Sequence, residues 1–201
     1  MYILCSDLES VLIPELWIEI AEETGIDELK LTTRDVADLD LLMQKRLTAL
    51  KDNKIGIEKI NMILEKSEPF EGAKETLNEI RENMPVVILS DTFWEFASLI
   101  IKKLNYPTVI CNSLEIDNDG YIANYKIREN GKKRAVRAFK ELGLQTIAMG
   151  DSYNDTGMLK EADKGIFFNA SEKTRADFPE FPAIENYKEL KEYLKNYKNG
   201  K

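Results

Sequence analysis

Short apolar runs recur along the chain, and each gives way to polar residues. Tyr2-Ile3-Leu4-Cys5 leads into Ser6-Asp7, Val86-Val87-Ile88-Leu89 into Ser90-Asp91, and Thr108-Val109-Ile110-Cys111 into Asn112. Thr146-Ile147-Ala148-Met149 leads into Gly150-Asp151, and Gly165-Ile166-Phe167-Phe168 into Asn169. Continuous apolar runs of about four to eight residues mark strands buried on both faces. Helical periodicity lies between them: Ala73, Leu77 and Ile80 share one face over 73–83, and Val136, Phe139 and Leu142 share one over 132–142. Strand alternating with helix predicts an α/β fold, a parallel sheet with helices on both faces. Ligands of such sheets bind outside the carboxyl ends of the strands. The polar residues stand there.

Two stretches break the alternation. Residues 114–127 read as a β-hairpin turning at Asp117-Asn118-Asp119-Gly120. Residues 14–70 carry no strand signal and predict about three amphipathic helices. Pro14 fits a first helical position, and Trp17, Ile20, Ala21 and Thr24 form a stripe stopped by Gly25. The second helix carries Leu39, Leu42, Met43, Leu47 and Leu50, and the third runs from Ile57 to Lys66, before Pro69. So long an insert exceeds a connection in a compact sheet. The expected organisation is a discontinuous α/β core, 1–13 and 71–201, with a small helical cap at 14–70. The tail from Asn196 to Lys201 is expected to fray.

Composition narrows the chemistry. The 201 residues correspond to roughly 1.3 domains. A net charge of −8 repels phosphate backbones and argues against a nucleic-acid partner. The chain has no histidine, which excludes Ser-His triads, His metal ligands and His acid–base chemistry. The two cysteines, Cys5 and Cys111, are too few for a disulfide framework and fit a reducing, cytoplasmic setting. Met1 to Leu4 do not make a signal peptide. No apolar stretch reaches about 18 residues, so no membrane-spanning helix is expected.

Five places remain where chemistry is expected. Asp7-Leu8-Glu9 sets two carboxylates just past a strand. Alone it reads as a polar strand end, but it also suits a carboxylate nucleophile with a general acid beside it. Gly150-Asp151-Ser152-Tyr153-Asn154-Asp155 contains a capping-box spacing at Ser152 and Asp155. That spacing leaves Asp151 and Asn154 unexplained, and carboxylates here suit a hard cation such as Mg²⁺. Thr92 and Glu95 repeat the spacing after Ser90-Asp91, predicting a helix start beside Ser90 able to hold an anion. Lys132-Lys133-Arg134 place three cations against a helix N-terminus, an arrangement favoured by a bound anion, though a solvated surface cluster is the ordinary alternative. Arg46 falls on the apolar stripe of the second insert helix. Its stem can snorkel to solvent, or its guanidinium can meet a substrate carboxylate. Glu15 then suits a substrate ammonium group.

The order of these motifs resembles the haloacid dehalogenase superfamily over the whole chain. The segments DLESVLIPELWIEIAEETGIDELK, TTRDVADLDLLMQKRL, VVILSDTFWEF and MGDSYNDTGML are similar to one branch, the phosphoserine phosphatases that also act as homoserine phosphotransferases. The resemblance implies a Rossmann-like core with a cap inserted after the first strand, and it implies roles. Asp7 becomes the aspartyl phosphate and binds Mg²⁺. Glu9 is the acid–base group and lends its backbone carbonyl to the metal. Ser90 and the Asp91 amide hold phosphate oxygens. Lys132 neutralises nucleophile and phosphate, with Lys133 one residue on as the alternative. Asp151 completes the metal site with Asp155 behind it, and Asn154 contacts phosphate or substrate. Glu15 and Arg46 read the amino and carboxylate groups of serine. Two positions depart from the superfamily: Glu9 stands where most members carry Asp, and Ser152 where Gly is usual. Glu9 matches the branch.

The implied reaction is Mg²⁺-dependent hydrolysis of O-phosphoserine by a monomer or homodimer, with transfer to homoserine available from the same intermediate. The alternatives are homoserine phosphotransfer as the main role, another small-molecule phosphatase, a metal-free dehalogenase, and a phosphorylated receiver domain.

Overall fold

The computed structural model describes residues 1–32, 35–36 and 38–198. Thr33, Arg34 and Ala37, inside the TTRDVADLDLLMQKRL segment, and Asn199 to Lys201, the end of the expected fraying tail, lie outside the described residues. Seven strands among the described residues form one sheet in the order β4-β3-β2-β1-β5-β6-β7. They are β1 (Tyr2–Ser6), β2 (Val86–Phe93), β3 (Thr108–Ile116), β4 (Ile122–Lys126), β5 (Gln145–Gly150), β6 (Lys164–Phe168) and β7 (Ala183–Ile184). Neighbours run parallel except β3 and β4, which are antiparallel.

The sheet is buried on both sides, as the unbroken apolar runs require. Leu4, Val86, Ile88, Ile147, Met149 and Ile166 join one cluster, while Ile3, Cys5, Val87, Leu89, Ala148 and Phe167 join the other. This is strand alternation with both faces apolar. Helices α1 (Leu16–Thr24), α4 (Ala73–Arg81), α5 (Trp94–Ile100) and α9 (Tyr187–Leu194) feed the first cluster. Helices α6 (Gly131–Glu141) and α7 (Thr156–Glu161) feed the second. Two further insert helices, α2 (Leu39–Asp52) and α3 (Ile57–Leu64), and a short α8 (Glu172–Asp177) complete the helical set among the described residues.

β1 lies at the centre, with Ser6 in register with Ile88 of β2 and Met149 of β5. The ends of these three strands therefore converge. Between β1 and β2 the chain forms α1, a 3₁₀ turn (Asp27–Lys30), α2, α3 and then α4. Hydrogen bonds fix where it leaves and returns. Phe70 N–H donates to the Leu12 carbonyl at 3.0 Å, and the Tyr187 hydroxyl donates to the Val11 carbonyl at 2.6 Å. The far end touches the hairpin, where Ile57 N–H donates to Gly120 O at 2.8 Å and Tyr125 donates to Asp40 at 2.9 Å.

Several local expectations are corrected. α1 begins at Leu16 with Glu15 as its N-cap, so Pro14 precedes the helix. There the chain is still closing a loop in which Leu12 N–H and Ile13 N–H both return to the Leu8 carbonyl. β3 does not stop at Asn112 but runs to Ile116, pairing first with β2 and then with β4. Leu142 lies beyond the last turn of α6 and is 75 % exposed, while Leu144 packs on the core instead. The tail is ordered further than expected: Lys195–Tyr197 form a 3₁₀ turn, and Tyr197 packs edge-on against Tyr2 at 5.3 Å.

Candidate active site at the ends of β1, β2 and β5

Asp7 follows β1 directly. Its N–H donates to the Met149 carbonyl at 2.8 Å, extending the ladder one residue past the strand, and its Oδ1 accepts from Leu8 N–H at 2.8 Å. The side chain is thereby held over the end of the sheet. The second residue of α6 reaches it: Lys132 Nζ lies 2.9 Å from Asp7 Oδ1, 2.8 Å from Asp155 Oδ1 and 3.4 Å from Asp91 Oδ2. A cation in the first turn opposes the helix dipole, and these carboxylates offset that cost. Burial works against the Lys132 charge, but Asp155, Asp7 and Asp91 outweigh it and hold the ammonium well above its ordinary range. Lys133 is half-buried beside Gly157; the ammonium that reaches Asp7 is that of Lys132.

Asp155 is fully buried. Its Oδ2 accepts from Asp151 N–H at 3.0 Å, Ser152 N–H at 3.1 Å and Ser152 Oγ at 3.3 Å. The expected capping box of Ser152 and Asp155 is present, on a 3₁₀ turn, Tyr153–Asp155. Carboxylate oxygens of Asp7, Asp151 and Asp155 lie within 4.8 Å of one another. One lysine cannot neutralise them. Burial, then the charges of Asp155 and Glu15, push Asp151 up to about 7, and burial with Asp155 also raises Asp7. Hard oxygen donors carrying excess negative charge fit a hard divalent cation such as Mg²⁺. The Glu9 side chain stands apart from this cluster, its Oε1 accepting from Leu16 N–H at 2.8 Å as a cap for α1. Burial and the Glu15 charge push Glu9 up to about 7.

Ser90 and Asp91 are presented differently from the sequence expectation. The helix does not begin beside Ser90: β2 continues to Phe93 and α5 starts at Trp94. Leu89 pairs with Ile110 and Phe93 with Asn112, so four steps on β2 face two on β3. Ser90, Asp91 and Thr92 form the resulting bulge, a device that re-aims side chains at a strand end. Ser90 Oγ accepts from Thr92 N–H at 3.2 Å. No capping box forms, because Glu95 instead accepts from Leu114 N–H at 2.7 Å.

Glu15 is exposed at the N-cap of α1 and accepts from Ser10 Oγ at 2.8 Å. Arg46 is buried, its Nη2 donating to the Leu31 carbonyl at 2.6 Å. Burial lowers its pKa to about 10 against the opposing charges of Glu9 and Glu15. Arg46 thus feels the charge of Glu15, the acid that the sequence pairs with it, and of Glu9 as well. Asn154 is exposed on the 3₁₀ turn, without a side-chain hydrogen bond among the described residues.

Two residues here escape the sequence reading. Asn112 bridges Asp91 O and Arg128 N–H at 2.7 and 2.8 Å, and Trp17 lies under Arg46. The sequence offers only the polar end of an apolar run for the first and an ordinary core stripe for the second.

The fold recurs in known proteins. The phosphoserine phosphatase ThrH of Pseudomonas aeruginosa is 48 % identical over 197 residues, 97 % of this chain and 96 % of that protein. A phosphoserine phosphatase of Pseudomonas syringae pv. tomato is 46 % identical over 96 % of this chain and 82 % of its own. A solved structure described as a phospho-aspartyl intermediate analogue of phosphoserine phosphatase superposes with a TM-score of 0.78 at 27 % identity, covering 98 % of both chains. The haloacid dehalogenase-like hydrolase model matches residues 8–163. By that match, which spans most of the chain, and by its identity to ThrH, the chain belongs to the haloacid dehalogenase-like hydrolases.

Proposed function

We propose that the protein is a Mg²⁺-dependent phosphatase that hydrolyses O-phosphoserine through an aspartyl phosphate and can pass the phosphoryl group to homoserine. The observation that carries this reading is the Asp7–Lys132–Asp155 ion-pair cluster, 2.9 and 2.8 Å, with Asp151 beside it. A metal-free dehalogenase has no need of the Asp151 carboxylate, and a receiver domain has no need of an insert at 14–70. We assign 1–13 and 71–201 to the catalytic core and 14–70 to the cap.

Asp7 and Asp151, with Asp155 behind them and the Glu9 backbone carbonyl, would hold Mg²⁺. When bound, the ion neutralises charge on the phosphoryl oxygens. Asp7 Oδ1 is occupied by Leu8 N–H and Lys132, so its other oxygen is the nucleophile. It attacks phosphorus in line, the bond from phosphorus to the serine oxygen breaks, and Glu9 gives its proton to that oxygen. A pKa near 7 suits this, since both protonation states of Glu9 are then populated near neutrality. Ionised Glu9 next takes a proton from water, the water oxygen attacks phosphorus, and the bond to Asp7 breaks. A homoserine hydroxyl entering instead of water gives transfer. Ser90, the Asp91 amide and Lys132 orient the phosphoryl oxygens, Asn154 touches phosphate or substrate, and Glu15 and Arg46 read the ammonium and carboxylate.

The test is a screen of phosphorylated amino acids with Mg²⁺, homoserine added or withheld. O-phosphoserine is expected to lead, with phosphohomoserine formed when homoserine is present. Preference for a substrate lacking the amino-acid end would overturn the assignment. Asp7→Asn is expected to abolish turnover with the fold retained.

A further inference from the structure

We propose that Trp17 is a positioning residue for substrate selection: its ring holds the Arg46 guanidinium by the face, leaving the edge free for a substrate carboxylate. This rests on the phosphoserine reading above and deepens it. The Arg46 Cζ lies 4.6 Å from the Trp17 ring centroid. Of the five N–H donors a guanidinium offers, one meets the Leu31 carbonyl. Nε is buried without a hydrogen-bond partner among the described residues.

A buried guanidinium ordinarily pairs with a carboxylate. Arg46 makes no ion pair with a carboxylate among the described residues, although the charges of Glu9 and Glu15 reach it. An ion pair would consume the in-plane donors that a bidentate ligand carboxylate needs. A π face stabilises the same cation without supplying an oxygen that would occupy those donors. The insert thus keeps a cation buried and oriented without spending its ligand-binding edge.

Trp17 is itself fixed. It is buried, and it packs edge-on against Phe93 at 6.5 Å and Phe96 at 5.3 Å, which contact each other at 5.9 Å. The three rings belong to α1, the end of β2 and α5, so the plate beneath Arg46 is tied to the strand that carries Ser90.

The test compares kcat/KM for O-phosphoserine and O-phosphoethanolamine, which share phosphate and amine but differ in the carboxylate, in wild type, Trp17→Phe, Trp17→Leu and Trp17→Met. Both substrates are assayed on one preparation, so their ratio is independent of the folded fraction. Leu and Met lack a π face, and each is expected to lower the ratio roughly 5- to 30-fold, mostly through KM for phosphoserine. Phe retains a π face, although it is also larger than Leu and Met, and keeps most of the preference. A loss in Phe as large as in Leu and Met would overturn the proposal, as would an unchanged ratio in Leu and Met. The wild-type ratio tests the underlying reading separately: no preference for phosphoserine sinks that reading, and this one with it.

Discussion

A methyl group on Gly150 would lie 2.2 Å from Cγ of Asp155 and 2.4 Å from its Oδ2. That carboxylate cannot yield, because Lys132, Ser152 and the Asp151 N–H all bind it. Gly150 closes β5 in order to admit it. Gly150→Ala is therefore expected to push the Asp151–Asp155 loop away from Asp7 and to cost about 1–3 kcal/mol, the usual penalty of overpacking, with turnover lost. Calorimetric melting and a phosphatase assay check this, and wild-type values in both would mean the loop relaxes freely.

Removing Lys132 leaves Asp7 and Asp155 facing each other with their shared cation gone. Loss of one partner from a buried ion pair typically costs about 3–5 kcal/mol. Lys132→Met, nearly the same shape, is expected to lose stability on that scale in metal-free urea titrations near neutral pH, and less in acid, where Asp7 takes up a proton. A loss near zero would show that Lys132 is not what balances the two acids.

The sheet was legible because its strands are buried on both faces, so apolar runs and strands nearly coincide. Asp7, Lys132, Asp151 and Asp155 were legible for a related reason: each closes a strand or opens a helix, where local sequence sets position. Most of what failed depended on pairing between distant segments. The bulge at Ser90-Asp91-Thr92 exists only because β2 slips against β3, and nothing in 86–93 alone distinguishes it from a capped helix start. Trp17 looked like one more apolar position in a stripe, since its partner is twenty-nine residues away. Pro14 misled because a real helix-start preference was overridden by loop closure onto Leu8.

Asn112 spans that bulge with both ends of its amide. Nδ2 donates to the Asp91 carbonyl and Oδ1 accepts from Arg128 N–H, in the segment leading to α6 and Lys132. Asn112→Asp keeps the second bond and turns the first into a contact between two acceptors. The expected result is a fall in kcat/KM of roughly tenfold, the equivalent of about 1.4 kcal/mol, with a smaller loss for Asn112→Gln. Wild-type kinetics in Asn112→Asp would show that the Asp91 peptide needs no such anchor.

Glu9 and Asp151 give the metal-free protein a definite pH response. Burial comes first among the causes for both, and both are raised to about 7, from ordinary values of 4.5 and 3.8. Between their unfolded and folded values these two groups bind more protons in the native state than in the unfolded chain, so the stability they contribute falls as pH rises and is lost through about 7. A divalent ion reverses this for Asp151, because it binds the ionised carboxylate and displaces the proton. The Mg²⁺-induced rise in melting temperature is therefore expected to be larger at about pH 7.5 than at about pH 5.5, and Asp151→Asn should remove most of it at both. Differential scanning fluorimetry across that range is sufficient. A shift independent of pH, or one that survives Asp151→Asn, would place the ion elsewhere than among Asp7, Asp151 and Asp155.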